Sequence, residues 1–425
     1  MTTAISALPA RVFASLRRHR NYRLYFAGQV VSVTGTWMQN VALAWFVVQL
    51  THSAVAVGLL AFCRFFPFTV FGFVSGVVAD RFDNRRLVMT TQAAAMLVSI
   101  ALTVMAFSNV DQLWLVYLLA GLGGTALVFD APGRHALTFQ LVGREELSNA
   151  VALNSSLFNA SRVIGPSIAG VVIAAVGVSA CFALNAASFL AVLAALAAMR
   201  RHDLFPVERA APPTVLRGIR EGLAYAWHTP RVRLVLAITL VVTTVGFNFH
   251  VLVPVLASQT LHAGPRTFGL LSAAFGAGAL VGALMSAALG RASWKALVGG
   301  LTLFSAALLV LAPQAAAGPA AALLFLIGAG FTLWQANAQS ILQLSAPDAL
   351  RGRILSLHLF AFGGLAPLGS LLAGWLSEVG GTVLAFGVAG STAGAMTVGA
   401  AGLFRRMSAA HVDRHPGEEL HARAG

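Results

Sequence analysis

Two arginines, Arg64 and Arg162, stand inside long runs of residues that carry no other charge. A guanidinium in apolar surroundings costs several kcal/mol unless a carboxylate, a set of carbonyls or a water-filled cavity receives it. No acidic residue is expected at the depth of Arg162, so backbone carbonyls or an anionic ligand are the partners open to it. Arg64, in Phe62-Cys63-Arg64-Phe65-Phe66-Pro67, can take such a partner or snorkel toward water on its aliphatic stem. Uncharged hydrogen-bonding side chains recur in similar settings: Gln39, Asn40, Asn154, Asn159, Asn248, His250, Gln335, Asn337 and His358. With Arg162 they are the candidates for lining a polar cavity, and each taken singly is also the kind of residue that joins two helices by hydrogen bonds.

Covalent chemistry has no comparable foothold. Cys63 and Cys181 fall in apolar runs, where a thiol acts as a small apolar group, and two such cysteines offer neither a disulfide framework nor a metal site. The chain has no glycine-rich phosphate loop for ATP and no His-Glu metal cluster. The expectation is a protein that is not an enzyme and uses no cofactor and no metal. Its chemistry is binding, with protons entering only through Asp130, His250 or His358.

The elements that position these residues follow from composition. Of 425 residues 58% are hydrophobic and 10% charged, against roughly 25% charged in soluble domains. A bilayer core about 30 Å thick takes roughly 20 apolar residues per helix, and charge-free windows of that length nearly tile the chain, from Arg23–Arg64 to Glu378–Arg405. Strands of a membrane barrel would alternate over about ten residues instead. The windows predict helices near 22–50, 54–79, 86–107, 112–133, 147–177, 180–200, 232–258, 266–290, 294–312, 319–343, 353–378 and 382–405. The fold class expected is an all-α membrane protein of twelve transmembrane helices.

A net charge of +14 suggests nucleic acid until the positions are counted. All of the 28 Lys and Arg residues except Arg64, Arg162 and Arg266 fall in the N-terminus, in alternate loops or in the tail. That is the positive-inside pattern, which predicts both termini in the cytoplasm and no nucleic-acid partner. The first 21 residues contain a basic stretch without a small-residue cleavage site and lead into a segment long enough to span, so an anchor is expected, not a cleaved signal.

The longest polar connection lies at mid-chain, with Pro206, Pro212, Pro213 and five arginines. The expected organisation is a cytoplasmic N-terminus 1–21, a six-helix bundle 22–200, a cytoplasmic linker 201–231, a second six-helix bundle 232–405 and a cytoplasmic tail 406–425. Leu141 to Gly170 can be laid on Leu344 to Gly374, both ending at Ala-Gly. Two pseudo-symmetric bundles of this kind form a central site whose exposure alternates as one rocks against the other.

Between the second and third predicted helices stands Gly76-Val-Val-Ala-Asp80-Arg81-Phe82-Asp83-Asn84-Arg85-Arg86, which resembles motif A of the major facilitator superfamily. The resemblance implies a gating latch of Gly76, Asp80, Arg81, Arg85 and Arg86, with Asp130 as acidic partner and Arg134 beside it. In such a latch the glycine packs closely, a carboxylate sits at a helix N-terminus and the arginines bind across the seam between halves. Asp83-Asn84 departs from the usual Gly-Arg of the motif.

The chain from about Asn21 to Arg405 looks like the branch holding enterobactin exporters and macrolide-efflux-like proteins. Its marks are Asn21 to Phe26, Gly35-Thr36-Trp37-Met38-Gln39, Phe129 to Arg134, Leu147 to Asn154, Asn185 to Phe189 and Arg351-Gly352-Arg353. Gly165, Pro166 and Gly170 resemble the core of motif C, associated with export, and are also what a helix bend needs; Ala169 replaces one glycine of that motif. The motif B arginine of proton-coupled exporters would fall at Tyr117 and is missing, so proton antiport rests on resemblance alone.

The expectation is therefore a monomeric secondary carrier in a bacterial inner membrane, surrounded by lipid. It exports an amphipathic or anionic small molecule, siderophore-like or drug-like, by alternating access. An importer or lipid translocator of the same fold, or a membrane sensor that has lost transport, remains open at this level.

Overall fold

The computed structural model describes residues 13–108, 110–206 and 215–412, and every regular element among them is helical. In order they are α1 (Ala14–Arg18), α2 (Arg20–Thr51), α3 (Ala54–Arg81), α4 (Asn84–Phe107), α5 (Leu113–Val176), α6 (Val178–Ala197), α7 (Val215–His228), α8 (Pro230–Gly246), α9 (Phe249–Val255), α10 (Pro265–Ala288), α11 (Trp294–Leu311), α12 (Ala317–Ser345), α13 (Asp348–Gly363) and α14 (Ala366–Val412). Residues 1–12 of the expected N-terminus, 207–214 of the linker and 413–425 of the tail lie outside the described residues.

Ten stretches of these helices are long and apolar enough to cross a bilayer. Two are far longer than one crossing needs. The 64 residues of α5 would reach about 96 Å at 1.5 Å per residue, three times the hydrocarbon thickness. The helix does not run straight: Gly143 leaves helical geometry at φ 68°, a left-handed value that favours glycine. The ring of Phe205 packs where a side chain at 143 would stand. Asn154 Nδ2 then reaches Thr138 Oγ1 at 3.3 Å, although 16 residues along an unbroken helix would separate them by about 24 Å. The chain has doubled back. The second long stretch breaks in the same way at Gly380 and Gly381.

Several boundaries differ from those read in the sequence. Helix continues to Gly143 where a polar connection from 134 to 146 was expected, because Arg134 pairs with Asp130 one turn earlier instead of interrupting the helix. The window 232–258 is divided: α8 stops at Gly246, and Asn248 opens α9. The window 353–378 breaks after Gly363, and helix continues to Val412 past the expected limit at 405.

The linker is not a plain connection either. His202 and neighbours form a short 3-10 turn, and Phe205 donates its amide to Gln140 O at 2.8 Å, tying this part to the first half. Helix α7 belongs to the second half. There Glu221 pairs with Arg353, and Tyr225 Oη donates to Ser345 O at 2.7 Å.

Small residues set the packing. Membrane helices lack a hydrophobic force between them and depend on close approach. A side chain at Gly124 would collide with the backbone of Arg64, joining α5 to α3, and one at Gly35 with Asn185 and Ser188, joining α2 to α6. In the second half Gly278 and Gly328 serve the α10–α12 crossing, against Phe325 and Phe275. An aromatic cluster centred on Phe331 fills the space inside, with Phe247 stacked on it at 4.1 Å.

Candidate functional site

The two halves meet along two seams. On one, Gly58 of α3 faces Gly374 of α14, with a side chain at 58 coming 2.7 Å from Ser370 O. On the other, Gly170 of α5 faces Gly269 of α10, with a side chain at 170 coming 2.9 Å from Pro265 O. Gly170 and Gly374 are the two repeat ends aligned in the sequence, so each half contributes an equivalent glycine to a crossing.

The seam is held shut at the end away from the basic loops. Glu378 Oε2 accepts from Ser53 Oγ at 3.1 Å, Ala54 N at 2.8 Å and Val55 N at 3.2 Å, the first amides of α3. Gln259 Nε2 donates to His52 O at 2.9 Å, and Trp45 stacks on Phe268 with ring centroids 5.4 Å apart. Deeper in, Thr69 Oγ1 donates to Gly364 O at 2.8 Å, and Arg162 touches Phe275. These contacts gather in the outer part of the seam. Toward the basic end, Val70 and Val74 are exposed and a side chain on Gly76 would meet nothing within 4 Å.

The resembled latch is therefore not engaged across the seam in this structure. Asp80, Arg81 and Arg86 are exposed. The close packing expected at Gly76 is absent. It is Asp83, not Asp80, that caps a helix, accepting from Arg86 N at 2.8 Å at the start of α4. Arg85 is buried and donates to Leu196 O at 2.7 Å and Ala197 O at 3.1 Å, at the C-terminus of α6 in its own half. Those free carbonyls and the negative end of the helix suit a cation.

Asp130 likewise pairs within its half. Its Oδ1 accepts from Thr91 Oγ1 at 2.8 Å and Gln92 Nε2 at 2.9 Å, and its Oδ2 holds Arg134, which also reaches Gln29. The expected pairing with the loop arginines is replaced by this i,i+4 ion pair.

Asp130, Arg134, Gln92, Thr36, Gln39, Asn40 and Arg64 line one cavity of about 80 Å³ inside the first half, room for a few waters. Gln39 Oε1 there accepts from Asn185 Nδ2 at 2.8 Å. A larger groove on α14, lined by Gly380, Ser391 and Thr392 among others, lies apart from the seam.

The other candidates are scattered. Arg162 lies between the rings of Trp37 and Phe275, 5.5 and 5.4 Å from their centroids. His250 lies against Phe65 at 4.8 Å and within 3.4 Å of Ser370 Oγ. Asn154 accepts from Tyr22 Oη, Asn159 bonds its own helix, and Asn248 donates to Thr244 O at the break before α9. Asn337 serves packing, its Oδ1 accepting from Ser293 N at the start of α11. His358 is buried with neither ring nitrogen bonded, and Gln335 is partly exposed. Gly165 packs on Thr34 and Trp37 of α2, next to Pro166.

A family model described as "Transmembrane secretion effector" matches residues 10–424. The chain belongs to this family of major facilitators. Relatives in the family include the staphyloferrin A transporter of Staphylococcus aureus, 26% identical over 87% of this chain and 92% of that one. The enterobactin exporter of Escherichia coli O1:K1 is 29% identical over 80% and 81%. Macrolide efflux protein A of Streptococcus pyogenes is 22% identical over 64% and 68%. Solved structures place the family fold on the same footing. A nucleoside transporter superposes with a TM-score of 0.73 at 10% identity, covering 92% of this chain and all of that one. A bacterial homologue of ferroportin in an inward-facing state gives 0.68 at 14%, covering 90% and 98%. Members of this family are multi-pass membrane transporters, not enzymes.

Glu378, Trp37 and Phe275 were not singled out from sequence as site residues. Glu378 had a signal, as one of few carboxylates on the sparsely charged side of the chain. Trp37 stands in the Gly35–Gln39 stretch quoted for the resemblance, but Phe275 had no signal, because nothing local distinguishes it from a packing aromatic.

Proposed function

We propose that the chain exports an amphipathic or anionic small molecule across a bacterial inner membrane by alternating access. Its two halves, 22–200 and 232–405, move about the glycine crossings. The breaks at Gly143 and Gly380-Gly381 divide the two longest helical stretches, giving twelve crossings. The basic end faces the cytoplasm, by the distribution of Lys and Arg, and with it both termini. The observation that carries the reading is the outer clasp: Glu378, Gln259 and the Trp45–Phe268 stack join the halves at the outer end, while Val70, Val74 and Gly76 toward the basic end stand open. In this state the space between the halves opens inward, and the Gly76–Arg86 loop latches only when the inner end closes. The relatives named for efflux and export support the direction, as does the Gly165-Pro166 element.

Asp130 with Arg134 is the pair through which protons couple to transport, and the carrier works as a monomer. The test is flux in inverted vesicles carrying the purified protein, with a panel of siderophores and macrolides and an imposed proton gradient. Uptake into inverted vesicles supports export. Uptake confined to right-side-out vesicles favours an importer, and binding without flux favours a sensor.

A further inference from the structure

The level of the two mid-membrane arginines can be worked out from the crossings. Arg64 lies six residues past Gly58 on α3, and Phe275 lies six past Gly269 on α10, so each stands about 9 Å inward of its crossing. Arg162, eight residues before Gly170 on α5, stands about 12 Å inward of the same level, and its guanidinium is 5.4 Å from Phe275. One turn of α2 ties the two together: Thr36 and Asn40 line the cavity with Arg64, while Trp37 between them covers Arg162. Both cations flank the same turn, just beneath the closed outer end.

Neither guanidinium has a hydrogen bond or an ion pair among the described residues, where its contacts are with the rings of Phe65, Trp37 and Phe275. Asp130 shares the cavity with Arg64, yet both its oxygens are taken by Thr91, Gln92 and Arg134. Two unneutralised charges in a low-dielectric interior are costly. Ring faces return only part of that cost. A ligand that carries two anionic groups returns more, since oxyanions bind guanidinium in charge-assisted pairs.

Resting on the transport reading above, we propose that Arg64 and Arg162 form a two-point anion site and that the transported molecule is a di-acid with an apolar body. The body lies against Trp37 and Phe275, and each acidic group meets one arginine. A neutral or cationic substrate finds no counterpart for these charges.

The test is a thermal-shift screen of purified protein in detergent, with matched sets of aromatic and aliphatic dicarboxylates, their monoesters and their diesters at millimolar concentration. Wild type is stabilised by di-acids over monoesters, and not by diesters. Arg64→Gln and Arg162→Gln each weaken di-acid protection about tenfold or more, one charge-assisted contact apiece. Without ligand, Arg64→Met and Arg162→Met melt higher than wild type, because an uncompensated charge is gone. A lower melting point of both ligand-free variants assigns the arginines to structural pairing and overturns the site. So does the absence of protection by every di-acid, or protection equal among di-acids and diesters. Cardiolipin, a doubly anionic membrane lipid, is a separate arm, and protection by it alone overturns a soluble substrate in favour of a lipid site. Di-acid binding without flux leaves the site standing and removes the transport reading. Flux of neutral drugs only does the reverse.

Discussion

Replacing Glu378 with Ala shifts the carrier toward its outward-open form. The carboxylate accepts two backbone amides of the first turn of α3, at 2.8 and 3.2 Å, and the hydroxyl of the capping Ser53. Ser53 itself caps Ala56 N at 3.3 Å. Two of the donors that a helix N-terminus leaves unpaired are thus satisfied from the other half, and only while the outer seam is closed. Loss of a side-chain cap costs about 0.5–2 kcal/mol. Water reaches this exposed site and can replace the carboxylate, so the lower half of that range is the better guide. At 1.4 kcal/mol per tenfold, the open-to-closed ratio rises by about two- to eightfold. Spin labels at Val176→Cys and Val383→Cys, both exposed near the outer end, with Cys63 and Cys181 replaced by Ala, report the separation by pulsed electron resonance. Glu378→Ala enlarges the long-distance population, and Glu378→Gln, which keeps a carbonyl acceptor, does so less. An unchanged distribution in the Ala variant refutes the reasoning.

Asp80→Asn lowers flux while the protein still reaches the membrane, as quantified by transport normalised to immunoblot; unchanged flux removes the latch. Asp130→Asn leaves Arg134 without its carboxylate in a site where Asp130 is 3% exposed, and breaking a buried pair costs about 3–5 kcal/mol. A melting temperature equal to wild type in detergent contradicts this. Gly170→Leu places atoms where Pro265 O and Gly269 stand, so α5 and α10 must part. The expected result is normal membrane levels with outer-end cysteines labelled faster; wild-type labelling speaks against the crossing. Asp83→Ala removes the cap on α4 and lowers stability by about 0.5–2 kcal/mol, read as a lower melting temperature.

The helices were legible because the bilayer imposes its length on composition alone, and Arg23–Arg64 or Arg162–Arg200 carry that signal without reference to any partner. The polar stretch from 134 to 146 showed that the chain turns there, but not that the turn falls at Gly143, since helical pairing continues on both sides of it. Arg85 illustrates the harder limit. It is expected to bind across the seam, yet the carbonyls it finds belong to α6 of its own half. Which acceptor a long side chain reaches depends on packing between distant helices, and no spacing in the sequence encodes it. Asp80 and Asp83 make the same point at three residues' separation, where one carboxylate caps and the other faces water. Arg64 and Arg162 were visible for the opposite reason, because a charge inside an apolar run needs no partner to be noticed.

The divided linker sets a measurable bound on the stroke of the carrier. Phe205 is fastened to the first half and α7 to the second, so the chain from Pro206 to Val215, nine peptide steps, links these fastenings at the basic end. Fully drawn out at about 3.3–3.6 Å per residue, it reaches roughly 30 Å. The inner mouth can widen no further than this leash permits while both fastenings hold. The largest cargo that can pass is thus limited by the number of residues in the linker.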